Sequence, residues 1–318
     1  MAKTLSKLGL RRSNLERNIV PILGVPVDST RRRGVLMKIQ KFLEILAPQA
    51  QSGRSGKLFI VTPNPEIVNL ASKDTSFRKT LGQAHLSLPD GIGIIMAQRY
   101  IVLQVPKFPV VTQLALVCVG FWIGASGLFN RRWLISAGET VPGRLVFEDL
   151  VKLASKKGWR VFLLGGGKGV AEKAAKKIQN LKIKNQNYDA KFKILGMEGP
   201  RLDMEGKPQG GGEAQIERET IEEINTFKPD LLFVGFGAPK QEYWLYRNLP
   251  KLNVRVGMVV GGTFDSVAGT VMPAPRFVTE AGLEWVWRLI TQPWRIGRIF
   301  NAVVVFPLKV LIWRLKHG

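Results

Sequence analysis

The chain has 318 residues, 45% of them hydrophobic, enough to bury the core of one large α/β domain with an extension or of two small domains. Its formal charge of +23, from 47 Lys and Arg against 24 Asp and Glu, calls for an anionic partner: nucleic acid, a phosphate-bearing substrate or an acidic membrane. One cysteine, Cys118, excludes an intramolecular disulfide framework, and two histidines, His85 and His317, leave no zinc constellation and little material for a Ser-His-Asp triad.

Residues 1–18 read as a basic tail with Lys3, Lys7, Arg11, Arg12 and Arg17; without a long apolar run before Pro21, no secretory leader is expected. Residues 19–280 read as one domain in which strands and helices alternate. Leu58–Thr62 is a short apolar strand, and Ile67 to Leu81 follows with helical spacing. Arg160–Leu164 is a second strand, entering Gly165-Gly166-Gly167-Lys168-Gly169 and an Ala/Lys-rich helix over 170–180. Phe192–Leu195, Leu231–Val234 and Val254–Val260 are further strands, with a Gly-rich loop over 196–212 and a charged helix from Glu213 to Phe227. Short strands alternating with helices of this length predict βαβ units and a Rossmann-like, mostly parallel α/β sheet flanked by helices.

Two regions break the rhythm. Within an apolar insertion of about 100–138, Phe108 to Asn130 carries no charge over 23 residues and is long enough to span a bilayer. A single crossing would separate strands that should share a sheet. A hairpin with Ile101–Val105, a re-entrant segment, an interfacial helix and a buried core helix all avoid that conflict. The second region, 281–318, has no acidic residue after Glu284 but carries Arg288, Arg295, Arg298, Lys309, Arg314 and Lys316, with Trp285, Trp287, Trp294 and Trp313 around the apolar stretch Ile299–Ile312. Rings and cations flanking an apolar run predict a membrane-associating helical appendage on an anionic surface rather than a nucleic-acid arm.

The candidate chemistry lies where apolar strands end. Thr62-Pro63-Asn64-Pro65-Glu66 follows the first strand, and Leu88-Pro89-Asp90-Gly91 the next junction. A carboxylate between an apolar strand and an apolar helix is partly desolvated, which makes Asp90 a competent base; a helix N-cap is the alternative, and the two roles are compatible. The loop at Gly165 and Gly166 can present backbone N–H groups to a diphosphate or can be a tight turn, and it lacks both the P-loop and the dinucleotide fingerprint. Phe236-Gly237-Ala238-Pro239-Lys240-Gln241-Glu242 delivers directional hydrogen bonds from Gln241 and a charge from Lys240 beside a backbone that Gly237 keeps open. Asp265, in Gly261-Gly262-Thr263-Phe264-Asp265, either binds a ligand hydroxyl or caps the next segment. The chain contains no Asp-x-Asp, so no metal site and no cofactor are expected, and leaving-group charge falls to N–H groups and arginines.

These segments, together with Phe162-Leu163-Leu164-Gly165-Gly166 and Gly282-Leu283-Glu284-Trp285-Val286-Trp287-Arg288-Leu289, resemble as an ordered set the WecG/TagA/CpsF glycosyltransferases from about Leu23 to Arg298. The resemblance implies an inverting, metal-independent enzyme. It would move N-acetylmannosamine or a related hexosamine from a UDP-sugar donor to a lipid-diphosphate-linked N-acetylglucosamine acceptor, at the cytoplasmic face of the membrane. It implies Asp90 as general base with Thr62 and Asn64 beside it, Gln241 as a substrate contact, and an appendage that closes the site and brings Arg288, Arg295 and Arg298 to the diphosphates. The chain departs from the pattern between Arg99 and Glu139, which is longer than the expected connection. A catalytically degenerate member that binds lipid-linked sugars is the alternative. Nucleic acid is not an expected partner, and a homo-oligomer is left open.

Overall fold

The computed structural model describes residues 17–46, 56–104, 115–120, 123, 139–184, 189, 191–272, 274–275, 277–278 and 283–317. A two-stranded antiparallel hairpin, β1 (Ile19–Ile22) and β2 (Val25–Asp28), precedes helix α1 (Arg32–Lys41). The main sheet then takes β3 (Leu58–Val61), β4 (Leu86–Ser87), β5 (Arg160–Gly165), β6 (Lys193–Met197), β7 (Leu231–Gly235) and β8 (Val256–Val259). All five pairings are parallel, in the order β4-β3-β8-β7-β5-β6.

Every residue of β3, β7 and β8 is buried, as a parallel strand covered on both faces requires. On one face lie α2 (Pro65–Lys73), α3 (Thr75–Leu81), α4 (Ile92–Val102), α7 (Gly211–Phe227) and α8 (Lys240–Asn248), contributing Ile67, Phe77, Ile94, Ile224 and Trp244 to a common core. On the other face α1, α5 (Gly143–Lys157), α6 (Val170–Lys184) and α9 (Thr263–Ala268) pack Ile39, Phe147, Ala174 and Phe264. The Rossmann-like reading of the strands therefore holds, and β3 and β5 share one sheet.

The predicted helix over 67–81 is two helices. Asp74 ends α2 and restarts the chain as α3, its Oδ1 accepting from Phe77 N at 3.0 Å. The hairpin, α1 and α5 had no counterpart in the sequence reading, and the Gly-rich stretch after β6 folds into a turn closed by a Leu202–Pro208 bridge. Arg17, the last cation of the basic tail, is built into the fold: its guanidinium pairs with Asp28 at 2.6 Å and donates to Ala84 O.

Most of the uncharged run 108–130 lies outside the described residues. The part described, 115–120 and 123, is helical and buries Leu116 and Ile123; Tyr100 Oη donates to Leu116 O at 3.1 Å. The chain ends in α10 (Glu284–Thr291) and the long α11 (Ile296–Lys316), which passes through a π turn at Asn301–Val305. Among the described residues α11 alone is long and apolar enough to cross a membrane by length and composition. It buries Phe306 and Val310 against the first core and leaves Ile296, Phe300, Val304, Leu308 and Ile312 exposed, a stripe at four-residue spacing.

Candidate active site

Because the strands are parallel, all their carboxyl ends open on one edge, where ligands of open α/β sheets bind. At β3 and β4 the two exit loops run side by side. Leu88 N donates to Val61 O at 2.8 Å and Asp90 N to Pro63 O at 3.1 Å, so the backbone ladder continues past the strands and sets Asp90 against the Thr62–Asn64 loop. Asp90 is half-buried. The N-cap of α4 is Gly91, at φ 97°, with no side-chain capping bond; capping thus falls on the residue after the carboxylate.

Thr62 is buried beneath the same loop, its hydroxyl 3.5 Å from Val259 O. Asn64 caps α2, Oδ1 accepting from Ile67 N at 2.9 Å, which leaves the NH2 end of the amide for a ligand. The start of α5 closes this corner: Val141 N donates to Pro89 O at 2.8 Å, and a Cβ on Gly143 would stand 3.1 Å from the Thr62 methyl. Sequence reasoning placed no functional residue at Val141-Pro142-Gly143. Its contact with Thr62 joins segments some 80 positions apart and has no local signal.

Farther along the edge, Gly165 and Gly166 leave β5 at φ 102° and 88°, and Gly166 N donates to Gly235 O at 3.0 Å. A Cβ on Gly165 would meet Phe236 Cδ1 at 2.9 Å, so only glycine admits this close approach of the β5 and β7 exits. Gln241 is buried in the first turn of α8. Its Oε1 accepts from Gly237 N at 3.2 Å and Gly261 N at 3.1 Å, clamping the exits of β7 and β8 together. Its Nε2 donates to Glu242 Oε1 at 2.9 Å. The Gln241 side chain and the Gly237 N–H are therefore committed to each other inside the fold.

Glu242 was not singled out from sequence. It is fully buried, and desolvation pushes its carboxyl up to about 7. Lys240 is half-buried at the head of α8. Asp265 sits in the first turn of α9, its Oδ1 3.3 Å from Thr270 Oγ1 and its backbone carbonyl accepting from Gly269 N and Thr270 N.

A pocket of about 270 Å³ opens over the exits of β5, β6 and β7, lined by Gly166, Glu198, Gly199, Arg201, Gln209, Phe236 and Lys240 among others. Its outer wall is the turn after β6, which sequence reasoning passed over as a Gly-rich loop.

The tail reaches the opposite end of the edge. Arg298 Nε pairs with Glu66 Oε1 at 2.8 Å, two positions past Asn64; Asn69 Nδ2 donates to Asn301 O at 2.8 Å; Lys309 Nζ donates to Ser72 Oγ at 3.0 Å. A Cβ on Gly93 would lie 2.9 Å from Pro65 and 3.9 Å from Phe306, so α11 is seated beside both helices that leave the Asp90 corner. Arg288 is exposed on α10, and the Arg295 side chain lies outside the described residues. The predicted residues thus fall into two groups on one edge: Thr62, Asn64, Asp90 and Arg298 at β3–β4, and Gly165, Gly166, Gly237, Lys240 and Gln241 at β5–β7, with Asp265 beyond β8.

The family model described as "Glycosyl transferase WecG/TagA/CpsF family" matches residues 20–118 and 128–318. Two curated relatives, from Staphylococcus aureus strains MRSA252 and NCTC 8325 / PS 47, are each 28% identical over 300 residues, covering 94% of this chain and 94% of each relative. Both are named N-acetylglucosaminyldiphosphoundecaprenol N-acetyl-beta-D-mannosaminyltransferase.

Proposed function

We propose that this chain, which belongs to the WecG/TagA/CpsF glycosyl transferase family, transfers an N-acetylmannosamine-type sugar from UDP to a polyprenyl-diphosphate-linked N-acetylglucosamine with inversion at the anomeric carbon. The observation that carries the reading is the Asp90 corner. The backbone of half-buried Asp90 is bonded to the Thr62–Asn64 loop at the carboxyl end of a parallel sheet, beside a docked apolar helix.

In this reading the acceptor hydroxyl oxygen attacks the donor's anomeric carbon from the face opposite the diphosphate. The hydroxyl proton passes to Asp90, and the carbon–oxygen bond to phosphate breaks with its electron pair leaving on UDP. Thr62 and the Asn64 amide orient the reacting sugars. Because the Gly237 and Gly166 N–H groups are already used, the leaving diphosphate is met by side-chain cations, with Lys240 on the donor side and the arginines Arg288, Arg295 and Arg298 on the tail side. The exposed stripe of α11, with Arg314 and Lys316 at its end, lies on an anionic cytoplasmic membrane surface and brings the lipid-linked acceptor to the Asp90 end of the edge.

The test is turnover of UDP-N-acetylmannosamine with a short-chain lipid-diphosphate-N-acetylglucosamine analogue, the product being weighed by mass spectrometry. Asp90→Asn should keep its melting temperature and lose roughly 10²–10⁴-fold in kcat. Turnover near that of the unmodified protein would remove Asp90 from the base role. Acceptor binding without any UDP release would favour a degenerate, lipid-linked-sugar-binding protein.

A further inference from the structure

We propose that the buried Arg17–Asp28 pair is a positioning pair for the reaction: it fixes, from outside the main sheet, the strand, loop and helix that carry Asp90. The inference rests on the reading of Asp90 as general base and adds what holds that base in its reacting geometry.

The need for such a device follows from where Asp90 is mounted. β4 is only two residues long, Leu86–Ser87, and it is the terminal strand of the sheet, with β3 as its one neighbour there. Asp90 comes three positions after Ser87, just before α4 begins at Ile92. From the β3 side the path is set by Leu88 N donating to Val61 O at 2.8 Å and Asp90 N to Pro63 O at 3.1 Å. That ladder acts from one side only.

The residues around the β1–β2 hairpin supply the other side. Asp28 ends β2, and its Oδ2 accepts from Ser87 N at 2.6 Å, as the carbonyl of a further strand beyond β4 would. The Asp28 backbone carbonyl accepts from Gln98 Nε2, on α4, at 3.2 Å. Arg17, just ahead of the hairpin, grips Asp28 through two donors, Nε to Oδ1 at 2.6 Å and Nη2 to Oδ2 at 2.9 Å. Its Nη1 goes to Ala84 O at 2.9 Å. The contacts with Ala84, Ser87 and Gln98 therefore bracket Asp90, two on the strand limb before it and one on the helix after it.

The choice of residues suits this task. The two side chains are 6% and 4% exposed, so their attraction is largely offset by the cost of removing both ions from water. A forked guanidinium matched to a carboxyl group nevertheless fixes direction as well as distance, which a single-point cation does not. The pair is thus weak as a source of stability and strong as a source of geometry. Geometry is what a base requires, since a displacement of about 1 Å from the productive position can cost roughly 100-fold in rate.

The test uses the full chain, with kcat, donor KM and acceptor KM measured beside thermal unfolding. Arg17→Met combined with Asp28→Leu removes both ions together and leaves neither unpaired, so the fold should survive, and the unfolding curve verifies it. Its kcat should fall about 10–100-fold, with both KM values within about twofold. Arg17→Gln combined with Asp28→Asn keeps an acceptor for Ser87 N and a donor toward Ala84 O, and should restore kcat to within about threefold of the parent. Added to Asp90→Asn, the apolar pair should cost less than about threefold more, because the group it positions is already gone. If the apolar pair does not fold, Gln98→Leu removes the α4 contact alone and should lower kcat about threefold, again without effect in the Asp90→Asn background. Full kcat in every folded variant, or losses that multiply with Asp90→Asn, overturn the positioning role and leave Asp90 as base. Full turnover by Asp90→Asn itself removes the base, and the positioning role with it.

Discussion

Among the described residues Glu242 is the most deeply buried carboxyl. It is fully buried, one oxygen accepts from Gln241, and the other has no hydrogen-bond partner. Burial raises its folded pKa from 4.5 to about 7, so between those values the folded protein holds a proton that the unfolded chain has released. That contribution to stability is complete below pH 4.5 and is lost as pH rises toward 7, by up to about 3 kcal/mol. Glu242→Gln removes the titration while keeping an acceptor for Gln241. Denaturant melts at pH 5 and pH 8 should therefore show the variant gaining on the parent protein by about 1–3 kcal/mol; parallel curves would refute the assignment. The motif Pro239-Lys240-Gln241-Glu242 is conspicuous in the sequence, and its placement at a strand exit was legible. The use of Gln241 as an internal clamp was not, because its two N–H partners, Gly237 and Gly261, come from different strands. A side chain's partners across a sheet leave no mark in the neighbouring letters.

Helix α2 shows how far local signals go and where they stop. Asn64 at the N-cap, Pro65 at the first position, Glu66 in the first turn and Lys73 in the last are all start and stop signals readable from sequence. The apolar period nevertheless continues through Asp74 into α3, so periodicity merged two helices that the Asp74 side chain separates. Asn64 caps the helix, and in the proposed mechanism it also serves the site; the two roles can be parted. Asn64→Ala should cost about 1 kcal/mol of stability together with most of the turnover. Asn64→Asp keeps the capping oxygen but removes the NH2 donor, so stability should return while activity does not. Recovery of both would reduce Asn64 to a cap. The apolar strands β3, β5, β7 and β8 were legible because both faces of a parallel sheet are dry. The β1–β2 hairpin was not: Pro21 and Pro26 argue against strands, and their tolerance depends on lying in a two-stranded edge ribbon.

Over the whole molecule, the cationic excess and the tryptophans of the tail gain meaning from how α11 is docked. One side of it is held by Asn69, Ser72, Glu66 and the buried Phe306, and the other presents the stripe Ile296, Phe300, Val304, Leu308 and Ile312. Replacing Phe300 and Leu308 with serine should leave thermal unfolding within about 1 °C, since both are exposed, and should lower sedimentation with anionic liposomes at least tenfold by removing apolar surface from the proposed lipid contact. Phe306→Ala is the opposite case, destabilising the fold by about 3 kcal/mol through a cavity between α4 and α11. Liposome binding that survives the double serine variant would move the membrane contact elsewhere on the chain.

The succession of apolar runs and polar clusters is written locally, since burial on two faces and glycine at a strand exit each act within a few residues. The sequence therefore carried the βα alternation, the polar motifs at the strand ends and the chemistry of the tail. Strand order, the pairing of Asp90 with the Thr62–Asn64 loop, the pocket wall after β6 and the helix faces that dock α11 came only with the folded sheet. Crossover connections choose a strand's neighbours by packing over the entire domain, and no short stretch of chain encodes that choice.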